Sequence, residues 1–239
     1  MRFILGFGLL FVFLNFVILG LAYVYYLNFE PPKSRFPIQG IDVSHHQGII
    51  DWDAVKSAGV TFAFMKATEG GDHKDTRFKT NWQAAARADI HRGAYHFFTF
   101  CRPGRDQAQN FIDSVPVSAA SLPPAVDLEF GGNCKKKPDA VDLKKELGVF
   151  LERLKSHYRR QPILYMTQEF FEAYYDKLDL KNPLWVRSLL FEPKFAKKEW
   201  IFWQYHNRGR KEGVSGAVDL NVFRWDKGRF QGLLRPQSP

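Results

Sequence analysis

From Gln39 to Val222 the chain alternates short apolar, β-branched runs with stretches of helical pattern, and this rhythm restricts its fold more than any other feature. Gln39–Ser44, Val60–Thr68, Gly93–Phe100, Pro124–Phe130 and Pro162–Thr167 read as strands. Asp51–Ala58, Thr76–Asp89, Arg105–Ser114, Asp139–Tyr158 and Gln168–Tyr175 read as the helices that follow them. In Asp139–Tyr158 the residues Leu143, Leu147, Phe150, Leu151, Leu154 and Tyr158 form one apolar stripe. After that the rhythm changes: Leu184–Ser188, Trp200–Tyr205 and Ala217–Val222 read as strands separated by little helical pattern. Repeated strand–helix units predict a parallel sheet. Eight strands with thinning connections predict a modified TIM-type α/β barrel with fewer than eight helices. The 239 residues suit this, since such barrels occupy about 200–250 residues as one unit.

Three of the strands interrupt their apolar run with a carboxylate: Ile41-Asp42-Val43-Ser44, Ala125-Val126-Asp127-Leu128-Glu129-Phe130 and Val218-Asp219-Leu220-Asn221-Val222. Residues i and i+2 of a strand face the same side, so Asp127 and Glu129 share one face. Closure of a barrel sets the last strand beside the first, which makes Asp219 and Asp42 neighbours. Reacting groups in such barrels come from the carboxyl ends of several strands. Paired carboxylates are the equipment of glycoside hydrolysis.

The chain opens differently. Residues 3–29 contain no charged side chain and are almost wholly apolar, long enough to span a bilayer. A signal anchor or signal peptide is expected over 1–29, as an N-terminal transmembrane helix if it is kept, followed by a proline-rich linker over 30–37, a barrel over 38–225 and a tail over 226–239. Gly20-x-Ala22 offers a cleavage site. The expected body lies outside the cytoplasm, membrane-anchored, or secreted if the segment is cleaved. Two cysteines cannot build a four-cysteine metal site. Cys101 and Cys134 both follow candidate strands directly, so in an exported chain they predict a disulfide between loops at one sheet edge. The net charge of +9 suits an anionic wall or membrane surface. Without zinc-finger spacing or an aromatic RNA-binding motif, nucleic acid is not an expected partner.

Six motifs recur in order: Gly40-Ile-Asp-Val-Ser-His-His-Gln-Gly48, Lys66-Ala-Thr-Glu-Gly70, Gly93-Ala-Tyr-His-Phe97, Val126-Asp-Leu-Glu129, Trp203-Gln-Tyr205 and Val218-Asp-Leu-Asn221. Each alone is weak, but the ordered series resembles glycoside hydrolase family 25, the Chalaropsis-type lysozymes (N-acetylmuramidases). The resemblance covers roughly Ile38 to Phe223. It implies a barrel with fewer than eight helices and hydrolysis of the β-1,4 bond between N-acetylmuramic acid and N-acetylglucosamine in peptidoglycan. It implies Glu129 as general acid/base and Asp127 as its partner, either nucleophile or the group that orients the substrate's acetamido. Asp42 and Asp219 match two further active-site carboxylates, and Tyr95, Tyr165, Trp185 and Gln204 match substrate-lining positions. No cofactor is implied, and a monomer acting on peptidoglycan glycan strands is expected.

Crowding and partial burial raise the proton affinity of at least one of four clustered acids, and Glu129, the proton donor that the resemblance implies, is the expected one. Arg187 departs from the family pattern, which places a small residue after the tryptophan. It is expected to meet a substrate carboxylate, neutralise the acids or narrow the cleft. His45 and His46, read as strand neighbours on opposite faces, are not expected to share a metal. Lys135-Lys136-Lys137 with Arg102, Arg105, Arg208, Arg210 and Lys211 form a solvated surface or a basic active face. The alternative function is a non-catalytic cell-wall glycan-binding protein on the same fold. That would require a lost acid, whereas Asp127 and Glu129 are both present.

Overall fold

The computed structural model describes residues 2–135, 137–196 and 200–235, with side chains from Phe13 onward, and it falls into two units, Met1–Glu30 and Pro31–Pro239. The first unit is a helix, α1 (Arg2–Leu27), whose described apolar side chains, Phe13, Phe16 and Leu19 among them, are exposed. Among the described residues no helix is long and apolar enough to cross a membrane. The expected span therefore lacks support there, and it falls partly on side chains 1–12, outside the described set.

The second unit is built around one sheet. Its strands are β1 (Gln39–Val43), β2 (Phe62–Glu69), β3 (His73–Lys74), β4 (His91–Phe97), β5 (Ala125–Leu128), β6 (Ile163–Thr167), β7 (Leu184–Arg187), β8 (Trp200–Gly209) and β9 (Val218–Phe223). Pairing runs β1-β9-β8-β7-β6-β5-β4-β2, and a further β1–β2 ladder closes the ring of eight. β3 lies outside the ring, a two-residue antiparallel addition to β2. The helices are α2 (Trp52–Ser57), α3 (Phe78–Arg87), α4 (Gly104–Ser114), α5 (Ala140–Tyr158), α6 (Gln168–Leu178) and α7 (Lys227–Leu234). Asp51, Asp139 and Thr167 begin α2, α5 and α6 by accepting backbone N–H groups of the first turn. The stripe Leu143, Leu147, Phe150, Leu151, Leu154 of α5 is buried. At Gly104 any side chain would strike the backbone of Glu146, so α4 packs against α5 at close range.

The all-parallel expectation fails at the last strand. β9 runs antiparallel to both β8 and β1. The reason is length: residues 210–217 alone join β8 to β9, and a parallel crossover needs a dozen or more. The chain instead reverses through Gly213 and Gly216, both at positive φ (88° and 87°).

Aromatic layers fill the barrel interior. Phe64 stacks on Trp185 at 4.6 Å between ring centroids, and Tyr165 meets Trp185 edge-on at 4.8 Å. Gly40 and Gly93 leave the space that the Phe62 and Phe64 rings occupy. At the opposite end from the carboxylates, Phe230 of α7 packs on Phe62 (5.7 Å) and Phe223 (5.3 Å). The buried Arg160 guanidinium holds α7 by donating to the carbonyls of Leu233 and Leu234, and it also reaches Ala119 and Ser121.

Candidate active site

The reversal of β9 decides where Asp219 sits. Its amino end lies at the rim where the other strands have their carboxyl ends, and Asp42 and Asp219 pair directly in the β1–β9 ladder. A cleft of about 240 Å³ opens at this rim. It is lined by Asp42, Asp127, Glu129 and Asp219, and by Tyr95, Tyr165, Trp185, Gln204 and Arg187. The strand expected to run to Phe130 stops at Leu128, so Glu129 stands just past it, on the turn into the β5–α5 loop.

That turn is fastened from two sides. Asn133 Nδ2 donates to the carbonyls of Glu129 (3.1 Å) and Phe98 (2.8 Å), while its Oδ1 accepts from Phe100 N–H (3.0 Å). The Cys101–Cys134 disulfide, with Cα atoms 6.0 Å apart, joins the same two loops, as the loop argument predicted.

Asp42 is the most completely bonded acid. Its Oδ2 accepts from Gln204 Nε2 at 2.8 Å and Asn221 Nδ2 at 2.7 Å. Tyr165 OH donates to Gln204 Oε1 (2.9 Å), and Trp185 Nε1 donates to Asn221 Oδ1 (2.7 Å). These bonds fix both amide orientations. Tyr165, Trp185 and Gln204 thus line the cleft while their polar atoms steer Asp42.

Burial raises the proton affinity of all four acids. Asp219 is pushed up to about 9, by burial first and then by the Asp42 charge. It holds a proton at neutral pH and hydrogen-bonds to Asp42, which, together with the two amides, favours the Asp42 anion. Asp127 is raised well above the carboxylate range by burial and by Glu129, and its Oδ1 is buried without a partner. Glu129 is raised by burial but held back by Arg187, whose Nη1 lies 3.5 Å from Glu129 Oε2. The largest shifts thus belong to Asp127 and Asp219 rather than to Glu129.

Three residues that serve the site were not among the expected site residues. Asn221 steers Asp42, Asn133 fastens the Glu129 turn, and Lys66 lines the cleft while pairing with Glu69 at 2.6 Å. Two carried a signal: Asn221 stands two residues after Asp219, and Lys66 is a lone cation inside the apolar run Phe62–Ala67. His45 and His46 depart from their expected geometry. They form a 3-10 turn with ring centroids 4.0 Å apart, and His45 Nδ1 lies 2.9 Å from Asp75 Oδ2. Among the described residues no group of three or more His, Cys, Asp or Glu is placed to hold a metal ion. Lys135, Lys137, Arg102, Arg105, Arg208 and Arg210 are exposed at the cleft end, and Lys136 lies outside the described residues.

Residues 41–214 match the model of the glycosyl hydrolases family 25. The chain is similar to lysozyme M1 of Streptomyces globisporus, with 35% identity over 84% of this chain and 73% of that one. Among solved structures it resembles a family 25 glycosyl hydrolase from Bacillus anthracis, with 38% identity, 87% and 97% coverage and a TM-score of 0.78. It also resembles a bacterial lysozyme from Streptomyces coelicolor, with 35% identity, 82% and 95% coverage and a TM-score of 0.73. On a family match over residues 41–214, which takes in Asp42, Asp127 and Glu129, the chain is a glycoside hydrolase and belongs to the glycosyl hydrolases family 25.

Proposed function

We propose that the protein hydrolyses peptidoglycan at the β-1,4 bond between N-acetylmuramic acid and N-acetylglucosamine, with Glu129 as general acid/base and Asp127 as its anionic partner. One observation carries this reading: acids from β1, from β5 and the turn after it, and from β9 converge in a single cleft, and one buried carboxylate oxygen there, Asp127 Oδ1, has no donor. A buried carboxylate oxygen without a partner costs stability, so its donor arrives with the ligand. The acetamido N–H of an N-acetyl sugar is such a donor. Asp127 then orients the acetamido oxygen toward the anomeric carbon, or attacks that carbon itself. Glu129 gives its proton to the glycosidic oxygen as the C–O bond breaks and positive charge grows on the ring. It then takes a proton from the water that completes hydrolysis. Asp42 and Asp219 hold one proton between them and keep the floor of the cleft at fixed charge. Support also comes from relatives named as lysozymes in Streptomyces globisporus and Clostridium acetobutylicum. The exposed basic loops around the cleft suit an anionic wall polymer.

We also propose that α1 directs the barrel out of the cytoplasm and tethers it there, or is removed after export. The uncharged, exposed face of α1 and the Cys101–Cys134 bridge support this. The mass of the mature N-terminus tests the alternatives.

The decisive test of chemistry is zymography on purified peptidoglycan. Wild type is expected to clear it and Glu129→Gln is expected not to. Clearing by both would remove Glu129 from its role.

A further inference from the structure

Arg187 is a wall shared by two hollows. On one side it lines the carboxylate cleft. On the other it lines a second cavity of about 390 Å³ with Gln168, Glu169, Ser188, Phe191 and Lys194. The segment that shapes this cavity is firmly held. Ser188 N–H donates to the Gln204 carbonyl (3.1 Å), Leu190 N–H to that of Tyr205 (3.2 Å), and Trp203 Nε1 to that of Ser188 (2.6 Å). Leu190 turns the chain there at φ 66°. Glu192, also on this cavity, is taken up by Arg35 at 2.8 Å. Arg187, Lys194 and Glu169 remain as the charged groups facing it, beside Phe191, an aromatic ring left 72% exposed.

We propose that this second cavity receives a carboxylate-bearing branch of the glycan, and that Arg187, by turning to that carboxylate, frees Glu129 to take up the proton it later donates. The inference rests on the hydrolase reading above. A guanidinium carries five N–H donors in a planar fork, and the Glu129 contact at 3.5 Å is long, so donors remain for a second carboxylate. Glu129 faces Arg187 from β7, Lys66 from β2, Asp42 from β1, Asp127 from β5 and Glu169 from α6. Without substrate, Arg187 favours the Glu129 anion, while burial and the Glu129 charge favour a proton on Asp127. Two substrate contacts reverse this. The branch carboxylate draws Arg187 away and adds negative charge near Glu129, while the acetamido N–H on Asp127 Oδ1 favours the Asp127 anion. One proton moves from Asp127 to Glu129, and none enters or leaves. A glycan without the anionic branch supplies only one of the two contacts.

The branch carboxylate has two sources, the lactyl group of the muramic acid and the acids of an attached peptide. The test compares peptide-bearing glycan, peptide-stripped glycan with free lactyl carboxylates, and each of these after carboxyl amidation. For wild type, amidation is expected to lower kcat/KM by about tenfold or more. The glycan on which this loss appears identifies the carboxylate. Arg187→Gln is expected to cleave the anionic and amidated forms equally, and Arg187→Lys to keep part of the preference. The alkaline limb of kcat should lie above that of kcat/KM for wild type on the anionic glycan, and the two limbs should coincide in Arg187→Gln. If Arg187→Gln is inert on every glycan, the same comparison is read from Arg187→Lys. An unchanged anionic-to-amidated ratio in the variants overturns the inference alone. Failure of wild type to release reducing ends from any glycan sinks the hydrolase reading and this one with it.

Discussion

His96 and Asp127 are buried titratable side chains on adjacent strands, β4 and β5, and the fold treats them in opposite ways. His96 points out of the barrel wall toward α4 and α5. Its Nδ1 accepts from the Thr68 hydroxyl (2.7 Å), and its Nε2 donates to Gln107 Oε1 (3.0 Å). The tautomer follows because the Gln107 amide nitrogen is committed to the carbonyls of Thr99 and Arg102. Phe150 covers the ring at 4.9 Å, and burial depresses its proton affinity to about 3. Every capacity of the group is met, and it stays neutral. Asp127 faces inward, where like charges surround it and Oδ1 has no donor. A buried polar group that is fully satisfied serves stability. One that is crowded and left open is held ready for a partner that the fold does not supply.

The largest expected effect breaks the comparison on the functional side. Glu129→Gln should lower kcat on peptidoglycan by about 10²–10⁴. Its effect on stability should stay below about 1 kcal/mol, because the side chain stands at the rim. A large stability loss with activity intact would place Glu129 in the same class as His96. The reciprocal change is His96→Ala. It leaves the buried Thr68 hydroxyl without its acceptor, removes one donor from Gln107 Oε1 and opens a cavity beside Phe150, so unfolding in urea should lose about 2–4 kcal/mol. Cleavage rates measured well below the melting temperature should stay within about twofold.

The pH dependence sharpens the contrast because the two groups act in opposite windows. His96 has a folded value of about 3 against 6.5 unfolded, so its contribution is complete above 6.5 and lost as pH falls toward 3. Asp219 has a folded value of about 9 against 3.8, so its contribution is complete below 3.8 and lost as pH rises toward 9. Each has a limiting slope of about 1.4 kcal/mol per pH unit. From 3.8 to 6.5 the two offset each other, and above 6.5 the histidine no longer opposes Asp219, whose effect adds to that of Asp127, raised by the same burial. Thermal unfolding between pH 6.5 and 9 should therefore show falling stability, and Asp219→Asn should flatten that fall. An equal slope in the variant would mean that Asp219 is ionised in the folded protein throughout.

The alternating rhythm and the acids at strand ends carried most of the ring and the convergence of Asp42, Asp127, Glu129 and Asp219, because period-two facing and barrel closure are local rules applied repeatedly. What stayed hidden depends on contacts far along the chain. Helix α7 holds Gly228 and Gly232 within eight residues and shows no helical stripe. It forms because Phe230 reaches the barrel interior and Arg160 captures its last carbonyls. The one local sign was Asp226, whose carboxylate caps the helix by accepting from Arg229 N–H at 2.9 Å. The direction of β9 was readable from the short Arg210–Ala217 connection, but the preceding parallel units argued the other way. The pairing of Arg187 with Glu129 lies across two strands and a turn, and no spacing rule reports it.

The smallest expected effect tests whether the fixed floor of the cleft matters to the open acid above it. Asp42 is steered by two arms, Tyr165–Gln204 from one side and Trp185–Asn221 from the other. Tyr165→Phe removes one hydroxyl and leaves Gln204 Oε1 without its donor, a loss of about 1 kcal/mol, or roughly fivefold. With Gln204 free to turn its oxygen toward Asp42, the Asp42 anion is less favoured and the proton held by Asp219 is shared more evenly. The expected signature is a fall in kcat of roughly fivefold with KM nearly unchanged. Combining Tyr165→Phe with Asn221→Ala should cost more than the two changes separately, since each arm compensates for the other. Strict additivity would show that the two arms act independently and that Asp42 does not need both.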